Sequence, residues 1–221
     1  MYVPLQHGMP SHDTLGRVFS RLDSIQFYAA LQNWTHEISG SLKGETVAFD
    51  GKTLRGSFDQ ASSRSALHSV SAWACGLRLC LGLTSVDEKS NEIPAVQELL
   101  ILLDIEGAVV TVDALHCQKD TAKTVVDKKA DYLMVVKGNQ PTLQTELHET
   151  ILKAFDSDKS AMRRHHKKEI SHGRSEYREV VVLPCPQESP VFSGWPGIAT
   201  IGTIFRSREI NGKLEESSET F

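Results

Sequence analysis

Long apolar runs are missing from this 221-residue chain. No stretch reaches the roughly eighteen consecutive apolar residues of a membrane-spanning helix, and its greasiest segments, such as Val109 to Val112, are strand-sized. Met1 to Pro10 lack the charged and apolar regions of a secretory signal. Cysteine is scarce: Cys75, Cys80, Cys117 and Cys185 form no CxxC pair. That scarcity argues against a disulfide framework or zinc site and for buried free thiols in a reduced cytoplasm. A basic excess is missing too. Lys and Arg total 24 against 28 Asp and Glu, a net charge of −4. This balance counts against a pure nucleic-acid-binding module, and less against a nuclease, whose active site is acidic in order to hold cations. No GxSxG elbow, P-loop or HExxH occurs, which removes the support for an unrelated α/β hydrolase or phosphate-handling enzyme.

What is present is ordinary globular material, 40% hydrophobic and 24% charged, long enough for one generous domain with a sizeable insertion. Ser11 or Asp13 is placed to cap a helix carrying Leu15, Val18, Phe19 and Leu22. A second helix runs from Ser24 through Phe27, Leu31 and Trp34 to about Ile38. Residues 1–44 are expected to be the remnant of a larger N-terminal helical region. Thr46 to Asp50 is a β run, and after a polar loop residues 66–75 and 77–85 form a hairpin turning near Gly76. A helix over 91–103, a strand over 108–112, a helix over 118–129, a strand over 132–136 and a helix over 141–155 follow, Pro141 sitting in a first turn. The order β-β-β-α-β-α-β-α implies an α/β fold, a mixed sheet with helices on its faces, over residues 45–155. Beyond Asp156 a charged loop leads to a strand at Tyr177 to Leu183, a proline-rich turn and a strand at Ile198 to Phe205. Residues 156–221 read as a β-rich, incomplete insertion.

Asp50 and Asp113 each close an apolar β run, the place where α/β sheets gather their ligands. An aspartate there also serves as a turn former or helix N-cap. If the strands are neighbours, two like charges meet, and a hard divalent cation resolves their repulsion. Two such ions roughly 4 Å apart can activate water and stabilise the leaving oxygen of a phosphodiester. The one dense basic run, Arg163, Arg164, His165, His166, Lys167 and Lys168, suits either a solvated loop or contact with phosphates.

The segments around these residues are recognisable. Val47-Ala48-Phe49-Asp50-Gly51-Lys52-Thr53-Leu54-Arg55, His68-Ser69-Val70-Ser71-Ala72-Trp73, Val110-Thr111-Val112-Asp113-Ala114 and Val136-Lys137-Gly138-Asn139-Gln140-Pro141 resemble blocks of DDE-type insertion-sequence transposases. Val86-Asp87-Glu88-Lys89-Ser90-Asn91-Glu92-Ile93 continues the likeness, which is greatest to the branch containing the H-repeat-associated proteins. The resemblance implies an RNase H-like fold and Mg²⁺-dependent cleavage and joining of DNA strands at transposon ends, with Mn²⁺ as substitute. It implies double-stranded DNA as partner, homo-oligomers as a further option, and a bacterial cytoplasmic, nucleoid-associated location. It implies three acidic residues, of which Asp50 and Asp113 are the first two. The third, a glutamate on a late helix, is expected beyond Phe221. The chain is therefore expected to be an incomplete copy that is inactive alone; the alternative is a silent DNA- or metal-binding remnant.

Glu176 is an outside substitute for the third acid, its expected place being the start of an added strand. Glu88 and Glu92 flank the first core helix, where loop polarity and capping compete with a metal role. Lys52, Lys137 and Asn139 join Arg163, Arg164, Lys167 and Lys168 as candidate DNA contacts, against the alternatives of exposed loop residues and a turn feeding a helix. His116 could orient water, although a lone loop histidine is usually incidental, and Trp73 in the hairpin is expected in the core.

Overall fold

The computed structural model describes residues 8–54, 67–86, 92–156, 161–171, 174–210 and 213–221. The chain divides at Gly40 into two compact units. In the first, Ser11 caps helix α1 (His12–Phe19) by accepting from the Thr14 amide, while Asp13 lies inside the helix. Asp23 caps α2 (Ser24–Ser39) by accepting from the amides of Ile25 and Gln26, both at 3.0 Å. Phe19 meets Phe27 edge-on, ring centroids 6.4 Å apart.

The second unit, Ser41–Phe221, contains two sheets. The first comprises β1 (Thr46–Leu54), β2 (Leu67–Ala74), β3 (Leu79–Val86), β4 (Val109–Val112) and β5 (Asp131–Met134), in the order β3-β2-β1-β4-β5. The β1–β2 and β2–β3 pairs are antiparallel, and the β1–β4 and β4–β5 pairs are parallel. This is the mixed sheet that the element order implies, in the RNase H-like form that the resemblance implies. Helices α3 (Glu92–Leu102) and α4 (Lys119–Asp127) follow the hairpin and β4.

Alternation along the strands decides which side of this sheet is covered. Val47 and Phe49 of β1, Val70, Ala72 and Ala74 of β2, Val110 and Val112 of β4, and Met134 of β5 are buried on one face. The opposite face carries Ala48, Thr111, Trp73, Leu83 and Leu133, the last three between 43% and 45% exposed. Trp73 is therefore not a core residue, contrary to expectation. Its register partner is Ala48, on the open side, while its neighbours Ala72 and Ala74 point inward. Cys75, in the turn of the hairpin, is likewise exposed rather than buried, whereas Cys117 and Cys185 are buried and all four cysteines are free.

Helix α5 (Pro141–Asp156) buries Leu143, Leu147 and Ile151 and leads to the second sheet. That sheet is an antiparallel meander of β6 (Arg163–Ser171), β7 (Arg174–Pro184), β8 (Thr200–Ile210) and β9 (Lys213–Thr220), with the short α6 (Pro190–Ser193) between β7 and β8. Phe205 meets Phe155 of α5 with centroids 6.4 Å apart, and the Arg164 guanidinium lies 5.0 Å from the Phe155 ring centre. Leu183, Cys185, Phe192, Trp195 and Ile201 join the apolar cluster that also holds the inward residues of the first sheet. Val136, just past β5, forms an isolated bridge to Thr220 at the end of β9.

Two features of this region depart from the sequence reading. The basic run Arg163 to Lys168 belongs to strand β6, not to a loop, and β9 is a strand that its polar composition conceals. Both are edge strands, whose charged residues need no apolar alternation because pairing with β7 and β8 supplies their backbone hydrogen bonds.

Candidate active site

Phe49 of β1 and Val112 of β4 are register partners in the parallel pair, and Asp50 and Asp113 come next. Neighbouring strands lie roughly 5 Å apart, so the two aspartates stand side by side. Asp113 follows the end of β4, whereas Asp50, contrary to expectation, does not close its strand, because β1 runs on to Leu54 along β2. Both are exposed; alternation from Phe49 and Val112 sends them toward the open face. Asp50 has no hydrogen-bond or ion-pair partner among the described residues. Asp113 also caps the 3-10 turn Ala114–His116, its Oδ1 accepting from the Leu115 amide at 3.1 Å. Of the two roles the sequence offers for such an aspartate, the cap is formed, through one oxygen.

The loop after β5 braces this turn. The Asn139 side-chain amide donates to the Ala114 carbonyl at 2.6 Å, and that of Gln140 donates to the Cys117 carbonyl at 3.0 Å. Lys52 is exposed two residues beyond Asp50, on the same side of β1. Lys137 lies 3.4 Å from Glu219, and Glu219 in turn receives a 2.5 Å hydrogen bond from Arg206. That Arg206 bond, reinforced by Lys137, holds the Glu219 carboxyl below the usual carboxylate range.

The basic run is divided by the pleat. Arg164, His166 and Lys168 share the side of Val181, whereas Arg163, His165 and Lys167 take the other. Arg164 lies 3.9 Å from Glu179, and Lys167 lies 2.6 Å from Glu169, so part of its charge is matched within the sheet. Glu176 sits on β7 facing Arg178 at 2.8 Å and Arg208 at 3.7 Å. Glu88 lies outside the described residues.

Beneath the aspartates is a buried polar cluster; the sequence offered Glu92 and His116 as separate candidates, but neither His68 nor the meeting of the three. Glu92 opens α3 with its side chain only 6% exposed, and its Oε1 touches Nε2 of His68 on β2. Its Oε2 lies 3.7 Å from His116 Nε2, which is 3.8 Å from Asp113 Oδ1. His116 is buried in this cluster and is not an incidental loop histidine. Gly51 makes the room: a Cβ there would stand 3.1 Å from the Glu92 carboxyl carbon. A glycine directly after the aspartate of a β-prone run was the available signal. His68 and His116 carried none, because register alone brings them together.

The donor set, two adjacent exposed carboxylates, suits a hard divalent cation, which takes a few carboxylate oxygens and completes its shell with water and phosphate. Among the described residues no group of three or more His, Cys, Asp or Glu side chains is arranged to hold a metal. No described helix is long and apolar enough to cross a membrane.

The chain is 42% identical over 222 residues to a candidate transposase, YncI, of Escherichia coli O157:H7, covering 98% of this chain and 55% of that protein. It is 36% identical over 223 residues to an H repeat-associated candidate transposase, YhhI, of Escherichia coli strain K12, covering 99% and 58%. It thus spans a little over half the length of these curated relatives. A solved synaptic complex of piggyBac transposase with hairpin DNA has 12% identity and a TM-score of 0.36, covering 65% of this chain and 31% of that one. The family model described as "Transposase DDE domain" matches residues 41–185, and the chain belongs to that family.

Proposed function

We propose that this chain is part of a DNA strand-transfer enzyme that cleaves and joins DNA at transposon ends, with Asp50 and Asp113 holding Mg²⁺, or Mn²⁺ in its place. The observation that carries this reading is the placement of the two aspartates one step beyond paired residues of adjacent parallel strands. When bound, divalent ions supply a Lewis acid at the scissile phosphate and an activated water. The chain's own residues set the geometry. Asp50 and Asp113 present outward oxygens, the Asn139 and Gln140 amides brace the turn behind Asp113, and Lys52 offers a cation to phosphate on the same side. In this reading residues 45–155 carry the chemistry and 156–221 form an insertion. Lys137, Asn139 and the β6 cations Arg163, Arg164, Lys167 and Lys168 contribute salt-sensitive DNA affinity. A third acidic ligand is needed to place the second ion, so with Asp50 and Asp113 alone the chain cleaves DNA poorly.

The test combines Mn²⁺ binding with nicking of supercoiled plasmid by the chain, Asp50→Ala and Asp113→Ala. Loss of Mn²⁺ binding in both variants is expected, with little nicking by the parent. Unchanged Mn²⁺ affinity in either variant overturns the assignment. Robust nicking abolished by both substitutions places a third ligand within these residues, and Glu92 and Glu176 become the next positions to change.

A further inference from the structure

We infer that Glu92 is a positioning residue for both aspartates, acting on Asp113 through His116 and on Asp50 through the backbone at Gly51; this rests on the reading of the aspartates as metal ligands. The carboxylate is buried, and a buried carboxylate is costly unless hydrogen-bonded or paired. Apolar residues of similar volume in place of the whole cluster would often serve stability as well, so stability by itself does not account for it. What distinguishes Glu92 is where it lies. One oxygen touches His68, from the strand next to β1, and the other faces His116, three residues after Asp113. The whole carboxyl group fills the space that Gly51, the residue after Asp50, leaves by having no side chain. One buried group therefore touches the continuation of both acid-bearing strands.

The link to Asp113 runs through a single atom. His116 Nε2 lies between two carboxylates, 3.7 Å from Glu92 and 3.8 Å from Asp113, beyond hydrogen-bond length but within electrostatic reach of both. Asp113 is 65% exposed, and its other tie is the Leu115 amide. Restricting such a side chain before a cation arrives removes part of the ordering cost of binding. Glu92 restrains His116, and His116 restrains Asp113. At the other strand, the carboxylate seats Gly51 and so limits how far Asp50 can swing.

The experiment measures Mn²⁺ affinity by spin-resonance titration together with metal-free thermal unfolding, for the parent, Asp113→Ala, His116→Phe, His116→Gln and Glu92→Gln. Phe keeps ring volume without a donor, whereas Gln returns an amide donor near the Nε2 position. The expected result is Mn²⁺ affinity about fivefold weaker in His116→Phe and in Glu92→Gln, about 1 kcal/mol, and within about twofold of the parent in His116→Gln. Asp113→Ala abolishes binding. If His116→Phe does not fold, the volume-conserving Glu92→Gln carries the test. A fall in melting temperature with Mn²⁺ affinity unchanged makes the cluster purely structural and overturns the inference, while the Asp113→Ala result leaves the site reading intact. Parent-like binding by Asp113→Ala overturns the site reading itself, and the inference with it.

Discussion

Phe49 and Val112 face each other across the parallel β1–β4 pair, and each is followed by an exposed aspartate. Two like charges roughly 5 Å apart in water repel by about 0.8 kcal/mol. In chelator, Asp50→Asn should therefore raise stability by up to about 1 kcal/mol, and in millimolar Mg²⁺ the gain should vanish as the parent gains from ion binding. Urea unfolding in the two conditions checks this; a gain of the same size in both argues that no ion binds there.

Glycine positions separate crowded sites from open ones. A Cβ on Gly202 would lie 2.7 Å from the Val181 carbonyl oxygen and 2.6 Å from the Phe221 ring, so Gly202→Ala must displace backbone. A loss of about 2 kcal/mol is expected. Gly16 in α1 meets nothing within 4 Å, and Gly16→Ala should instead stabilise its unit by about 0.5–1 kcal/mol. Denaturant melts of the two variants should move in opposite directions.

The tryptophans divide in the same way. Trp195 is 5% exposed within the apolar cluster, and Trp195→Ala should cost about 3–5 kcal/mol. Trp73 is 43% exposed, and Trp73→Ala should cost well under half of that. Comparable losses would mean that the Trp73 face is covered in solution.

Burial pushes the thiols of Cys117 and Cys185 up to about 11, from an ordinary 9.0. A raised folded-state value means that their contribution to stability is complete below about pH 9 and is lost as pH rises through about 11. Tyr132, whose hydroxyl donates to the Pro196 carbonyl at 2.7 Å, is pushed to about 12, mainly by burial and further by these two cysteines. A disulfide reagent at neutral pH should modify Cys75 first, and Cys117 and Cys185 only on unfolding. Rapid modification of all four would contradict the packing.

Glu219 gives the acid side. Its carboxyl is held below the ordinary 4.5 by Arg206 and then Lys137, so its contribution is present above that value. It is lost as pH falls through the lowered one. Glu219→Gln should flatten the stability profile below about pH 4.5 and leave neutral stability changed by no more than about 1 kcal/mol. Acid unfolding curves of parent and variant that stay parallel would exclude the linkage.

Much of the first sheet was legible from local pattern. Thr46 to Asp50 and Ala108 to Asp113 are β-prone runs ending in carboxylates, and Pro141 marks a helix start, so the order of elements through α5 could be read without tertiary information. The second sheet was legible only in part. Val180, Val181 and Val182 announce β7, but Arg163 to Ser171 and Lys213 to Thr220 carry little apolar signal, and edge strands acquire their structure from the neighbours they pair with.

The residues of the sequence by themselves determined that two aspartates follow apolar β-prone runs in an α/β chain with the blocks of a DDE transposase. Tertiary structure alone decided that Asp50 and Asp113 are neighbours, that Trp73 faces outward, and that the basic run is split between two faces. It alone brought His68, Glu92 and His116 into one buried cluster. The reason is register: pairing between strands far apart in sequence fixes which residues share a face, and a slip of one residue would send each of these side chains to the other side.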